Sequence, residues 1–396
     1  MILGKYYNNN FLLLGVMLLF ASTPLESIAV VENFSIAKLT VLLLFFAWAF
    51  KGFPVKVTPI LKMYIPYTIY AIVMALVGID VETSFRSIMY FLLPSLLVSV
   101  IITSCLSDHD NLKYMLFAFL VGCLIAAINA IMSRQSTYDS ALFDNMERVT
   151  ALGADQNTIS FVWNMGIVIL MSFLKVRTSS LQKGIIISAI SILAFSVLIT
   201  GSRTGAMIML LTFAIFIADS RNLYMYICAC ILGIITFFVF IPLLPESIIE
   251  RFLDSKDVAS SGDFSGRGEI WYNGWRAFMN ENIVTGVGYS NFCELYRKYY
   301  GIPLASHNTY LTYIVEFGLL GCWLFFRILL QMFTYILKIC KSSRSKFALC
   351  YILPFFLVMF TLETEYKRWL FILGPVLYSL YEFEFQRRDW DRLSKR

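Results

Sequence analysis

Residues 261–321 read SGDFSGRGEIWYNGWRAFMNENIVTGVGYSNFCELYRKYYGIPLASHNTYLTYIVEFGLLG. This is the one long interval of the sequence that is not continuously apolar, and it contains His307, one of two histidines. Runs of about 20 apolar residues, the length that crosses about 30 Å of hydrocarbon, fill most of the remaining chain. The sequence therefore indicates a membrane protein whose polar chemistry is concentrated in this interval.

Composition supports that interpretation, because 59% of the 396 residues are hydrophobic and 15% are charged. We expect an all-α integral membrane protein with about 12 transmembrane helices and one long outer loop that contains short amphipathic helices. The spans predicted from the apolar runs are 10–30, 36–51, 58–78, 87–105, 112–133, 158–175, 184–200, 203–218, 222–241, 309–338, 346–362 and 367–381.

Lysine and arginine are concentrated in alternate short loops, and this bias places the N-terminus and the C-terminus in the cytoplasm. The chain then divides into residues 1–241 with the first nine predicted helices, an outer (periplasmic) loop 242–306, and residues 307–396 with the last helices and a cytoplasmic tail. The net charge of +6 arises in short loops beside apolar spans, so no nucleic-acid partner is expected.

Two amphipathic helices are predicted within the long loop, at residues 267–278 and 292–300. The first should lie on the membrane surface, because its apolar side chains share one broad face: Ile270, Trp271, Trp275 and Phe278. From His307 the apolar pattern continues for about 30 residues, which is too long for one upright span. We therefore expect a break near residues 318–321 before the span proper.

Three outward-facing groups could carry chemistry, and the first is the turn 201–205 with the sequence GSRTG. In the predicted topology the following helix begins outside, Ser202 is a candidate cap, and Arg203 stands beside unpaired backbone N–H groups. That arrangement is suited to a phosphate. The alternative, in which Arg203 merely extends to the membrane interface, is equally well supported by the sequence.

The second group is the segment 266–271, in which Gly266 and a further glycine flank Arg267 ahead of Trp271. Glycines let the backbone approach a ligand closely, although a flexible turn before an interfacial helix explains the same residues. Arg276 lies on the polar side of this helix, and we expect it to support the site.

The third group is the segment 306–311, SHNTYL. A neutral imidazole at His307 can accept a proton from an attacking hydroxyl, and Ser306 or Asn308 could cap the helix that follows. A hydrogen-bonded interfacial histidine is the commoner case.

Taken together, two guanidinium groups could hold a diphosphate by bidentate hydrogen bonds and stabilise the charge on its departure, while the imidazole activates the acceptor. The loop aspartates at 254, 257 and 263 are too loosely spaced for a metal site. We therefore expect neither a metal nor another cofactor.

The runs GSRTGA (201–206), GRGEIWYNGWRAFMNENIVTGVGYSNF (266–292) and SHNTYLTYIVEFGLLG (306–321), in this order, resemble the O-antigen ligase and polymerase family of polytopic membrane glycosyltransferases. One departure is Ile283-Val284, where the family often has proline. The resemblance covers the predicted spans seven to ten, whereas the first six fit by number and hydrophobicity.

The resemblance implies transfer of a glycan from undecaprenyl diphosphate to a sugar or lipid-linked sugar acceptor, with inversion and without metal, at the outer face of the bacterial inner membrane. Arg203 and Arg267 match the diphosphate-binding arginines, and His307 matches the histidine that acts on the acceptor hydroxyl. Asn308 and Trp271 match positions with structural roles. The form HNTYL-x-x-x-x-E-x-G-x-x-G and the compact loop favour a polymerase over a ligase.

A transporter or a flippase of lipid-linked oligosaccharides is the alternative, since about 12 spans suit those classes too. A two-half transporter should have its long connection after the sixth span and on the inner side, whereas here it follows the ninth and faces out. A flippase should carry charges along a central cavity. The main intramembrane charge, Arg327, is expected instead to extend to the inner end of its helix.

Overall fold

The computed structural model describes residues 2–26, 28–31, 34–106, 109–133, 136–138, 147–149, 154–176, 179–219, 248–249, 267–362 and 368–393. Helices dominate these residues: α1 Ile2–Ser22, α2 Ile36–Phe50, α3 Pro59–Ala75, α4 Val81–Ser87, α5 Leu93–Cys105, α6 His109–Ser133, α7 Gln156–Leu174, α8 Ser180–Ile199, α9 Arg203–Asp219, α10 Arg267–Phe278, α11 Phe292–Tyr300, α12 Thr309–Ser343, α13 Leu353–Val358 and α14 Trp369–Leu393. Two short antiparallel hairpins accompany them, β1 Ala29–Val31 with β2 Phe34–Ser35 and β3 Ser136–Tyr138 with β4 Glu147–Val149.

Five helical stretches in the described part of the chain are long and apolar enough to cross a membrane: Val81–Cys105, Asp110–Ser133, Gln156–Leu174, Ser180–Ile199 and Thr309–Ser343. Shorter apolar helices cover Phe11–Leu25, Ile36–Phe50, Pro59–Ala75 and Lys346–Val358. A helical, multi-pass membrane protein is thus confirmed. The total of about 12 spans stays a prediction, and the predicted span 222–241 lies outside the described residues.

One predicted span has a different structure. Residues 346–362 were expected to form a continuous helix, but a 3-10 segment, Lys346–Tyr351, precedes the short α13. Pro354 explains the interruption, because proline lacks the N–H that an α-helix needs beyond its first turn and therefore begins a new helix.

The described elements form two compact units that alternate along the chain. The first comprises Met1–Lys51, Asp110–Asp257 and Arg344–Val358, and in it α7 packs against α8 and α9. The second comprises Gly52–His109, Val258–Ser343 and Met359–Arg396, and in it α12 packs against α3 and α14. The division at residues 241 and 306 was predicted from topology and stays a prediction.

Helices α10 and α11 have the bounds predicted from the sequence. Helix α10 buries Ile270, Gly274, Ala277 and Phe278 against the protein, so Ile270 and Phe278 do not face the membrane as predicted, whereas Trp275 is 44% exposed. Gly274 causes the difference, because a Cβ at this position would lie 2.6 Å from the Phe292 ring. The absence of a side chain lets α11 pack here rather than beside Trp275.

The predicted break in α12 occurs at Gly318, whose φ of 60° and ψ of −166° are not helical. Rings on opposite sides of the break meet: Tyr313 stacks on Phe325 with centroids 3.7 Å apart, and Tyr310 stacks on Phe326 at 6.3 Å. In a straight helix these pairs would be about 18 and 24 Å apart along the axis. The helix therefore bends sharply at Gly318, and its first part folds back towards the second.

Candidate functional site

The predicted site residues fall in both units. Ser202 and Arg203 belong to the first unit, whereas Arg267, Trp271, Arg276, His307 and Asn308 belong to the second. Gly266 lies outside the described residues.

In the first unit, Ser202 caps α9 as expected. Its hydroxyl oxygen accepts a hydrogen bond from the Gly205 N–H at 3.1 Å and donates to Asn157 Oδ1 at 2.7 Å. Asn157 lies in the first turn of α7, whose N-terminus is capped by Asp155. The N-terminal ends of α7 and α9 therefore lie side by side, with Arg203 partly exposed beside them.

This pairing strengthens the electrostatic case for an anion. Each helix N-terminus carries about half a positive charge, and the guanidinium adds a full one. Close packing of the two helices fixes the arrangement, because a Cβ on Gly205 would lie 2.5 Å from Ser160 Oγ. Asn164 also donates to the Gly205 carbonyl at 3.0 Å.

In the second unit, the two loop helices pack on the first part of α12 through a small apolar core. Its buried members come from all three elements and from the loop between α10 and α11: Ile270, Ala277, Phe278, Val287, Phe292, Leu295, Tyr296 and Val315. This burial explains why two short helices with polar outer faces hold a defined position.

The same core brings Arg267 and His307 to one part of the unit. Arg267 donates through Nη1 to the Thr361 carbonyl at 3.2 Å, and one turn later Trp271 Nε1 donates to the Ser306 carbonyl at 2.8 Å. Thr309, the first residue of α12, bonds to the carbonyls of Met359 and Leu362. The segment 359–362 thus contacts both the arginine and the start of the histidine helix.

His307 occupies an exposed turn between two buried residues. Its φ of 48° lies in the left-handed region, which is uncommon for a residue other than glycine and is frequent at functional sites. Its neighbours Ser306 and Asn308 are buried, and Asn308 Oδ1 caps α12 by accepting from the Leu311 N–H at 3.2 Å. The backbone is therefore fixed while the imidazole stays accessible.

Arg276 has a different environment. It lies on the exposed face of α10, where its guanidinium carbon is 5.6 Å from the centre of the Tyr272 ring. In the described part of the chain it therefore contributes charge to the outer surface of the loop rather than to the turn of His307.

Two buried polar residues missed by the sequence prediction support the loop. The Glu316 carboxylate is 0% exposed and accepts the N–H groups of Ser290 and Phe292 at 2.8 and 3.1 Å, which caps α11. Asn291 is also 0% exposed and exchanges hydrogen bonds with the Asp80 backbone, while its Nδ2 bonds to Ser84 Oγ at 2.6 Å. Hydrogen bonds from Thr83 lower the pKa of the Asp80 carboxyl below its usual value.

The loop 282–288 runs alongside the bend of α12. Backbone N–H groups of Val287 and Gly288 donate to residues 315 and 316, and those of Leu319 and Leu320 donate to residues 283 and 284. Tyr70 supplies a further bond, from its hydroxyl to the Phe317 carbonyl at 2.7 Å. The N–H of Val284 donates to Asn282 Oδ1 at 3.1 Å.

Replacing Trp271 with phenylalanine tests how α10 positions the histidine turn. We expect about a ten-fold lower kcat, because loss of the hydrogen bond to Ser306 frees the turn while the ring still fills its site. The KM for the donor should change little. Trp275→Phe, on the exposed face of the same helix, is the matched control, and an equal loss in both variants would contradict a positioning role.

The described helices and polar groups define the class of protein: a multi-pass membrane protein with polar residues at helix termini in one unit and on a loop folded against a bent helix in the other. Residues 188–326 match the family model described as O-antigen ligase, Wzy_C. The matched segment contains Arg203, Arg267 and His307. No curated protein matches the chain.

The match confirms the predicted resemblance to the O-antigen ligase and polymerase family. The match indicates a membrane enzyme of glycan assembly.

Proposed function

We propose that the protein transfers a glycan from undecaprenyl diphosphate to a sugar acceptor at the outer face of the inner membrane, with inversion and without a metal. Arg203 and Arg267 bind the donor diphosphate, and His307 takes the proton of the acceptor hydroxyl. The observation that carries the proposal is that α10 begins with Arg267 and holds the turn of the exposed His307 through Trp271.

In the proposed reaction, the acceptor oxygen attacks the anomeric carbon from the side opposite the diphosphate. A new glycosidic C–O bond forms as the bond between that carbon and the diphosphate oxygen breaks, which inverts the configuration. The hydroxyl proton passes to His307, and undecaprenyl diphosphate leaves with the electron pair. Guanidinium groups stabilise this departing charge by paired hydrogen bonds.

The arginine roles are tested by replacing each with lysine. We expect Arg203→Lys and Arg267→Lys each to lower kcat/KM about ten- to hundred-fold, since a point charge does not reproduce a planar guanidinium fork. Transfer is measured with purified protein, lipid-linked donor and a defined acceptor. Arg297→Lys, an exposed arginine on α11 paired with Glu294, should leave transfer unchanged.

A double-mutant cycle then asks whether the two arginines bind one diphosphate. If they do, the combined Arg203→Lys and Arg267→Lys variant should lose less than the product of the two single losses, because groups that act on one ligand are coupled. A loss equal to the product would assign the arginines to separate functions and contradict a shared diphosphate.

Between the two activities of the family, we propose polymerase. The preference rests on the sequence form that follows His307 and on the compact loop. Offering the purified protein a lipid-linked repeat unit and a lipid A core as competing acceptors tests this preference, and transfer to the core would identify a ligase.

A topology reporter inserted within 255–265 tests the outer location of the loop, which a cytoplasmic signal would disprove.

A further inference from the structure

Arg327 is a charged residue within the apolar second part of α12. Along the helix axis it lies about 13 Å from Gly318 and about 16 Å from Lys338, at about 1.5 Å per residue. Since a hydrocarbon core is about 30 Å thick, a helix that spans it between these two residues carries Arg327 near its middle.

The side chain of Arg327 is exposed, and its guanidinium carbon lies 4.7 Å from the centre of the Trp323 ring. Trp323 is itself 56% exposed and stands one turn closer to Gly318. The side chain therefore extends towards the bend of α12, which is the outer end in the predicted topology. The expectation that it extends to the inner end of the helix is wrong.

No carboxylate neutralises this guanidinium in the parts of the chain that the structure describes, where the ion pairs involve other residues. Glu316, the nearest acid along α12, is buried and bound to backbone N–H groups. Charged side chains are rare within spans and, when present, mark the paths of charged substrates. Within the described residues, the counter-charge for Arg327 is therefore left to an anionic ligand.

Aromatic rings lead from Arg327 to the start of α12, where the half-buried Tyr310 lies between the exposed Phe326 and Phe360. Phe326 stacks on Tyr310, and Tyr310 lies 4.6 Å from Phe360 between ring centroids. Tyr310 follows Thr309 directly, in the first turn of α12 beyond His307. A lipid that moved along this face would pass from the guanidinium to the histidine turn.

We propose that Trp323 and Arg327 form a lateral docking surface for the diphosphate of the polyprenyl-linked donor. The lipid arrives from the bilayer, its diphosphate pairs with the Arg327 guanidinium, and its apolar chain lies against the exposed rings. Arginine suits this role because its planar fork matches phosphate oxygens and keeps its charge in an apolar setting. The proposal rests on the proposed function, since it names an entry position for that donor.

The test uses full-length protein in nanodiscs of phosphatidylcholine, titrated with undecaprenyl diphosphate, with bound lipid counted by native mass spectrometry. We expect Arg327→Gln to weaken binding about ten-fold, and Trp323→Leu to weaken it less, because the ring only orients the guanidinium. Lys338→Gln is the matched control, since Lys338 lies on the same helix 5.3 Å from the Tyr381 ring, and its binding should equal that of the wild type.

Steady-state transfer separates docking from catalysis. Arg327→Gln should raise the KM for the donor about ten-fold with kcat nearly unchanged, as expected of a group that binds away from the reacting atoms. Unchanged diphosphate binding would overturn the docking surface. An equal loss of phosphatidylglycerol binding would also overturn it, because the surface would then be a general lipid contact. Conversion of a dimer to a monomer would overturn it as well, because the surface would then be a contact between two copies of the protein.

The two proposals fail in different ways. If His307→Ala abolishes transfer while Arg327→Gln matches the wild type in KM and lipid binding, the docking surface is wrong and the transferase stands. If Arg327→Gln loses the lipid but wild-type protein makes no product from any lipid-linked donor, the docking surface stands and the transferase is wrong.

Discussion

Replacing His307 with alanine should reduce glycosyl transfer by about 10²- to 10⁴-fold, the usual contribution of a general base. Donor binding should stay within about two-fold of the wild type, because the diphosphate is assigned to the arginines. The exposed imidazole lies between buried residues that keep their own hydrogen bonds, so its removal leaves Ser306 and Asn308 in place. Single-turnover transfer and donor binding, measured on the same preparation, check both parts.

Two companion variants make the result specific. His307→Asn keeps a side chain that tolerates the left-handed backbone, so its loss of activity reports on the imidazole rather than on the turn. His109→Ala, at the other histidine, should retain full transfer. If His307→Asn kept more than about a tenth of the wild-type rate, the base would have to be sought elsewhere.

Replacing Gly318 with alanine should destabilise the protein by more than about 3 kcal/mol, because it combines backbone strain with a steric overlap. A Cβ at this position would lie 2.4 Å from the Val284 carbonyl oxygen, a backbone atom that cannot rotate away. The backbone conformation of Gly318 is one that essentially only glycine adopts. Thermal unfolding in detergent, followed by loss of monodisperse protein, measures the effect.

Two other glycines separate the causes of that loss. At Gly184 an added Cβ meets nothing within 4 Å, so alanine in this helix should be neutral or stabilising by up to about 1 kcal/mol. Gly301 has a φ of 79° in the left-handed helical region and equally open surroundings, so Gly301→Ala measures the cost of a positive φ without an overlap. A Gly318→Ala variant as stable as Gly301→Ala would contradict the close crossing at the bend.

Local sequence signals were sufficient for several elements of the site. The periodic apolar residues, bounded by glycine and asparagine, predicted the first and last residues of α10 and α11 as they are observed. Small polar residues ahead of apolar runs predicted Ser202 as one cap and Ser306 or Asn308 as the other, of which Asn308 is observed, because a capping side chain bonds to its own chain a few residues away. A break near residues 318–321 was predicted on the same local grounds, and it occurs at Gly318.

The residues that sequence reasoning missed depend on partners far along the chain. Asn157 and Ser202 meet because α7 packs on α9, and Asn291 bonds to α4 across more than two hundred residues. Trp275 was predicted to share a membrane-facing apolar face with Ile270 and Phe278, but the close contact of Phe292 with Gly274 buries Ile270 and Phe278 against the protein instead. The spacing of apolar residues predicts which side chains share one face of a helix, but it does not predict which other element packs against that face.

The backbone pairing of residues 283–288 with the bend of α12 has a consequence for biogenesis. Residues 283–288 leave the ribosome before α12. The backbone groups of the loop and of the bend can form their hydrogen bonds only when both lie on the same side of the bilayer. In the predicted topology, these hydrogen bonds therefore form only after the loop has been translocated and α12 has been inserted. A chain that stalls between these two steps leaves unpaired amides beside the membrane, the kind of defect that quality-control proteases act on.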